Sequence, residues 1–282
     1  MCIMNKTAEK VSQLPSIRSF MQQADLTAKK SLGQNFLFDL NLTGQIAAAA
    51  NLSEGTVFEI GPGPGGLTRA LLLAGAQRVI AIEKDRRAIT FLDHLVRASD
   101  GALELIEGDA LTLPLWDIGQ APRQIIANLP YNIATPLLIS WLSHAEAFSS
   151  MILMFQREVA ERITALPGDT HFGRLAVLAN WRAETEILFD VPAEAFTPPP
   201  KVTSSIVRII PRNMPLYPCN QATLEKVTQI AFSQRRKMLR ASFKPYGGEA
   251  LLESLDINPQ LRPQELDIVD FCRLAERLEP QF

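Results

Sequence analysis

The chain has 282 residues, 47% of them hydrophobic, and a formal net charge of −2. That length accommodates a large domain and a smaller one, and the near-neutral charge excludes a general electrostatic pull toward nucleic acid, so any such binding must use a local patch. No apolar run approaches the roughly 20 residues that span a bilayer, and the first thirty residues lack a signal-peptide core, so the expected location is the cytoplasm, without membrane contact.

From Thr56 to about Pro211, apolar β runs alternate with amphipathic helical stretches, as a parallel sheet flanked by helices requires. The predicted strands are TVFEI, RVIAIE, LELIEGD, QIIAN, MILMFQ, EILFDV and SIVRII, with helices over 67–74, 86–97, 136–142 and 158–165. Only PAEAFTPPPKVTS separates the last two strands, too little for a crossover helix, so that pair is expected to be antiparallel. After PRNMPLYPCN the strand signals stop, and the rest reads as helices with short turns. The expected organisation is an α/β domain over 1–212, its first 28 residues an N-terminal extension, and a helical domain over 213–282. Cys2, Cys219 and Cys272 are far apart and odd in number, which points to reduced thiols. Neither they nor His94, His144 and His171 have metal-ligand spacing, so no metal is expected.

Chemistry gathers at the strand ends. The first strand runs into EIGPGPGGLTRALL, where Gly61, Gly63 and Gly66 match GxGxxG, and Glu83 ends the next strand as the acid expected on a ribose diol. The loop alone does not choose between NAD and S-adenosylmethionine. EGDAL brings Asp109 to the same edge, where a carboxylate can accept from an adenine amino group; its plainer role is a helix N-cap. QIIAN then meets NLPYN, whose plain reading is a turn in which Asn caps its own backbone and Pro ends the strand. In FSQRRKMLRASFK, Arg235, Arg236, Lys237, Arg240 and Lys244 crowd one segment. At helical spacing Arg236 and Arg240 share a face, and a phosphate-binding patch and a solvated basic surface stand level.

Taken together, KSLGQNFLFD, EIGPGPGGLT, NLPYN, FTPPPKVTSSIVR and FSQRRKMLR closely resemble the ribosomal RNA adenine N6-dimethyltransferase family, and within it the bacterial branch acting on small-subunit ribosomal RNA, from Lys29 to the C-terminal helices. The resemblance implies a Rossmann-like class I methyltransferase sheet with a small all-helical C-terminal domain. It also implies S-adenosylmethionine as cofactor and small-subunit ribosomal RNA or the immature 30S subunit as partner; the oligomeric state is not legible, and a monomer is the expectation. At matching positions, Asn35 and Leu37 would close over the cofactor, Gly61 approach it, Glu83 hold its ribose, Asp109 its adenine, and Asn128 serve both cofactor and target. The Asn128 side-chain oxygen and the Leu129 carbonyl would accept the hydrogens of the target amine, Pro130 stiffen the turn, and Tyr131 and Phe196 sandwich the extruded base. Lys201, Arg235, Arg236, Lys237 and Arg240 would meet RNA phosphates. Three other readings remain: a methyltransferase of large-subunit ribosomal RNA conferring antibiotic resistance, a non-catalytic ribosome assembly factor, and, more distantly, an NAD-dependent oxidoreductase.

Overall fold

The computed structural model describes residues 6–24 and 33–282; Cys2 and the Lys30–Leu32 part of KSLGQNFLFD lie outside the described residues. The N-terminal part contains α1 (Lys6–Ser12), α2 (Ile17–Ala24), the short β1 (Phe36–Leu37) and α3 (Leu40–Ala48). Asp39 caps α3 by accepting from the amides of Asn41 and Leu42. The alternating region follows as β2 (Thr56–Ile60), α4 (Gly66–Leu73), β3 (Val79–Glu83), α5 (Arg86–Ala98), β4 (Leu103–Glu107), β5 (Arg123–Asn128), α6 (Tyr131–Leu142) and β6 (Ser150–Gln156). Next come α7 (Arg157–Thr164), α8 (Arg174–Arg182), β7 (Ala183–Val191), β8 (Phe196–Thr197) and β9 (Ser204–Pro211). The chain ends in α9 (Gln221–Ser233), α10 (Leu239–Ser242), α11 (Gly248–Glu253) and α12 (Ile268–Leu278).

Seven strands form one sheet in the order β4-β3-β2-β5-β6-β9-β7. The pairs β4/β3, β3/β2, β2/β5 and β5/β6 are parallel, and β9 joins β6 antiparallel. Parallel strands covered on both faces should read as continuous apolar runs, and every residue of β2 and β3 is buried. After β4 the chain crosses β2 to start β5 on its other side, so the strand order reverses between β2 and β5. A crevice opens at the carboxyl ends of the strands at such a reversal. The expected antiparallel pair is present. β7 lies beside β9, where Ser205 donates to Asp190 and Arg208 to Glu186, so one strand number rises as the other falls.

The chain divides into two compact units, residues 1–157 with 186–210 and residues 158–185 with 211–282. This corrects the expected boundary, because α7 and α8 group with the C-terminal helices rather than with the sheet. The cause is apolar: Phe172, Val177 and Trp181 enter the core built by Leu224, Val227, Phe243, Phe271 and Leu274. The N-terminal extension is also more than a tail over its described part. Val11 is buried in the first unit's core, and the buried Arg69 of α4 donates to the carbonyls of Leu14 and Pro15 at 2.7 and 2.6 Å. Among the described residues, no helix is long and apolar enough to cross a membrane.

Candidate active site at the carboxyl edge of the sheet

A cavity of about 270 Å³ lies in the first unit, at the ends of β2, β3, β4 and β5. Gly61, Glu83, Asp109, Asn128, Leu129, Pro130 and Tyr131 all line it, and Asn35 and Leu37 close its side. Nine of the expected positions thus meet in one place.

Glycines make two different contributions here. At Gly61, with φ of +66°, an added Cβ would meet only the Pro130 ring at 3.8 Å, so the backbone faces open space. At Gly66 a Cβ would stand 2.1 Å from the Leu37 carbonyl oxygen. That glycine therefore lets the segment before α3 pack down on α4.

Glu83 is 7% exposed, and backbone amides hold its carboxylate. Oε1 accepts from the Lys84 and Asp85 amides at 2.8 Å each, and Oε2 accepts from the Gly63 amide at 3.1 Å. Two oxygens offer about four acceptor positions, so roughly one is left, on Oε2, for a hydroxyl ligand. Burial raises its pKa, with those amides pulling the other way. Asp109 is more exposed. Its Oδ2 pairs with Lys84 Nζ at 2.8 Å, its Oδ1 accepts from the Leu111 amide at 3.1 Å, and Lys84 holds its carboxyl below the usual range. It thus caps its local turn and faces the cavity at once, and the two readings of this residue are compatible.

The opening of α6 organises the other wall. The expected helix start at 136 is corrected to Tyr131, and Pro136 lies inside the helix. Pro130 occupies the N-cap position with φ of −57°, where its missing N–H costs nothing. Leu129 is buried beneath the turn. Asn128 Nδ2 donates to the Asn35 carbonyl at 3.2 Å, which leaves Oδ1 as the acceptor of that side chain. The Tyr131 hydroxyl bonds Ser204 Oγ at 2.7 Å, fixing the ring, and burial keeps this phenol neutral by raising its pKa.

Two expected residues stand apart. Phe196 is 3% exposed and belongs to the core; it pairs with Leu37 across β8 and β1 and is not among the cavity walls. Its ring packs in the first unit's apolar cluster. Lys201 is exposed and likewise does not line the cavity.

One wall residue escaped the sequence reading. Glu59 is 2% exposed, lines the cavity, and its Oε2 has no hydrogen-bond partner. Burial pushes its pKa up to about 8, opposed by the neighbouring Thr68. The signal was present: a lone acid within the otherwise apolar strand TVFEI is costly unless it has a use.

The basic segment lies in the second unit. It is a turn rather than one helix, since α9 ends at Ser233 and α10 starts at Leu239, so Arg236 and Arg240 do not share a helical face. The Leu239 and Arg240 amides donate to the carbonyls of Leu261 and Pro259, which pulls the chain out of the α9 axis. Arg236, Lys237, Arg240 and Arg262 nonetheless line one shallow surface pocket. Arg235 donates to the Thr170 carbonyl, and Arg240 faces Glu249 at 3.5 Å.

Comparison with known proteins identifies the family. The family model described as ribosomal RNA adenine dimethylase matches residues 25–279. The small-subunit ribosomal RNA methyltransferase A of Paramagnetospirillum magneticum is 54% identical over 271 residues, covering 95% of this chain and 96% of its own. The protein of that name from Afipia carboxidovorans is 55% identical over 275 residues, covering 95% and 97%. Among solved structures, a dimethyladenosine transferase from Plasmodium falciparum is similar with a TM-score of 0.74 at 30% identity, over 87% of this chain and 98% of that one. The 23S rRNA methyltransferase ErmE gives 0.65 at 28%, over 87% and 100%. Likeness at this level, over nearly the whole length of both chains, settles kinship: the chain belongs to the ribosomal RNA adenine dimethylase family.

Proposed function

We propose that this chain transfers methyl groups from S-adenosylmethionine to the N6 amines of two adjacent adenosines near the 3′ end of small-subunit (16S) ribosomal RNA. The product is N6,N6-dimethyladenosine, and the reaction occurs in the cytoplasm during 30S maturation. The observation that carries this reading is the Asn128 amide at the NLPY turn, which lines the cavity with its nitrogen committed to the Asn35 carbonyl and its oxygen left as an acceptor without a donor among the described residues.

The residues present fit the cofactor. Glu83 keeps an acceptor position for a ribose hydroxyl, Asp109 keeps lone pairs for an adenine amine, and Gly61 leaves room for close approach. When bound, S-adenosylmethionine supplies a methyl group on an electron-poor sulfonium. This chain supplies aim. An exocyclic adenine amine is a poor nucleophile while its lone pair is delocalised into the ring. Asn128 Oδ1 and the Leu129 carbonyl accept its two hydrogens and draw the nitrogen toward tetrahedral geometry. Tyr131 offers a ring for the base to stack on, held by Ser204. No strong base is required, because the amine proton becomes acidic only once the nitrogen is alkylated. Positioning and preorganised acceptors carry the catalysis.

The test incubates the protein and methyl-labelled S-adenosylmethionine with undermethylated 30S subunits and, in parallel, with 23S ribosomal RNA, followed by nucleoside analysis. Label in dimethyladenosine from 16S RNA is expected. Label confined to 23S RNA would move the chain to the large-subunit activity, and absence of label would leave an assembly factor.

A further inference from the structure

Cys219 and Cys272, separate in the sequence, meet in the second unit. Both belong to one apolar cluster and each perturbs the other's titration, Cys272 fully buried on α12 and Cys219 half-buried just before the Asn220 N-cap of α9. Independent bonds hold the same approach. The Tyr217 hydroxyl donates to Glu276, one turn beyond Cys272, at 3.3 Å, and Trp181 Nε1 donates to the Tyr217 carbonyl at 2.7 Å. The segment 217–219 is therefore fastened along one face of α12, and both sulfurs sit against the second unit's apolar core.

We propose that Cys219 and Cys272 are a modification site, a vicinal dithiol that a hydroperoxide converts to a reversible intrachain disulfide, with Cys219 attacking and Cys272 resolving. The Cys219 thiolate attacks the peroxide, an S–O bond forms, the O–O bond breaks, and one water leaves with the thiol proton. The Cys272 sulfur then displaces the sulfenic oxygen, the S–S bond forms, and a second water carries off the Cys272 proton. Two thiols and one hydrogen peroxide give one disulfide and two waters.

The assignment of roles follows from access. Cys219 alone reaches solvent, and its contact with Cys272 pulls its pKa down against burial and the carboxylates Glu276 and Glu279. Cys272 is pushed up by the same contact and by burial. The thiolate is the nucleophile, so the lower, more accessible thiol reacts first. Closing the bond fastens the start of α9 to α12 and encloses the whole basic turn in a covalent loop, which restricts the unfolded chain.

The experiment uses the full-length protein carrying Cys2→Ser, so that only this pair remains. After brief exposure to hydrogen peroxide, denatured protein should show both thiols lost, a digest should join the 219 and 272 peptides with two hydrogens missing, and dithiothreitol should restore both. The unfolding midpoint of the oxidised form should rise by roughly 5 °C. Cys272→Ala should leave a sulfenic acid on Cys219 that dimedone traps, while Cys219→Ser should leave Cys272 unmodified at the same dose. Cys219 advancing to sulfinic acid without joining Cys272, or both thiols surviving in a folded protein, would overturn the proposal.

Discussion

The cavity wall and the basic turn use polar side chains in opposite ways. At the sheet edge, Glu83 accepts three backbone amides, Asp109 is held by an amide and a lysine, and Asn128 is oriented by a carbonyl. In the turn after α9, Arg236 and Lys237 are exposed, and their side chains meet no hydrogen-bond or ion-pair partner among the described residues. The first arrangement spends protein groups on fixing direction before a ligand arrives. The second leaves charge free to follow a phosphate backbone. A change at the edge should therefore act through geometry, and a change in the turn through charge count and salt.

The largest expected effect tests the edge. Asn128→Ala removes the oriented acceptor and should lower methyl transfer by roughly 10²–10³-fold, the scale seen when one preorganised transition-state partner is lost. Stability should fall by only about 1 kcal/mol, since a single hydrogen bond to Asn35 disappears. Turnover on undermethylated subunits and thermal unfolding measure the two; near-native turnover would break the comparison at its strongest point. Glu83→Ala comes next. It strips the acceptor from three amides, so S-adenosylmethionine affinity should drop about tenfold or more and stability by about 1–3 kcal/mol. Calorimetric titration and unfolding should show both losses, while RNA affinity stays near wild type.

Glu59 is the exception at the edge, a buried acid with an unpartnered oxygen, and it makes the contrast testable by pH. Its pKa is raised from 4.5 to about 8, so the folded chain keeps a proton that the unfolded chain releases. The stability this provides is full below about pH 4.5, declines as pH rises, and is lost through pH 8. Glu59→Gln should flatten that decline and raise the unfolding midpoint at pH 9, measured without ligand. An unchanged pH slope would assign the decline to other groups.

The strands were legible because parallel strands buried on both faces are apolar runs, and the site because its parts sit at strand ends within short motifs. What escaped the sequence depends on contacts between distant segments. Glycine spacing names a nucleoside loop, but that Gly66 exists to admit the Leu37 carbonyl needs the fold. The resemblance makes Phe196 a stacking ring, and that it is 3% exposed, on the short strand β8 paired with β1, is visible only in the fold. The basic run looked helical because spacing cannot foresee that residues 259–261 would take the Leu239 and Arg240 amides. Residues 158–185 looked like part of the sheet domain because their apolar partners lie in the C-terminal helices.

A smaller effect sharpens the other side of the comparison. Arg235 is tied to the Thr170 carbonyl and Arg240 faces Glu249, whereas Arg236 and Lys237 are exposed with no such partner among the described residues. The double change Arg236→Ala with Lys237→Ala should weaken RNA binding by roughly tenfold at moderate salt and reduce the slope of log affinity against log salt by about 1.5. Cofactor affinity and the unfolding midpoint should hold. A preserved slope would remove these side chains from the RNA interface, and a lowered midpoint would make them structural.

The smallest effect separates a ring from its hydroxyl. Tyr131 opens α6 and bonds Ser204 Oγ at 2.7 Å, so the residue combines a stacking face with a tether. Tyr131→Phe keeps the face and loses one neutral hydrogen bond, about 1 kcal/mol at most, and Ser204→Ala should cost the same because it cuts the same bond. Tyr131→Ala loses the face as well, and base stacking is worth on the order of 1–3 kcal/mol. Methyl transfer measured as kcat/KM should therefore fall two- to fivefold in Tyr131→Phe and Ser204→Ala, as about 1 kcal/mol or less requires, and further in Tyr131→Ala. Combining Tyr131→Phe with Ser204→Ala should add nothing, since one bond cannot be lost twice. Equal losses in the Phe and Ala variants would mean that the hydroxyl aims the target and the ring does not, and the stacking role would then have no support at this position.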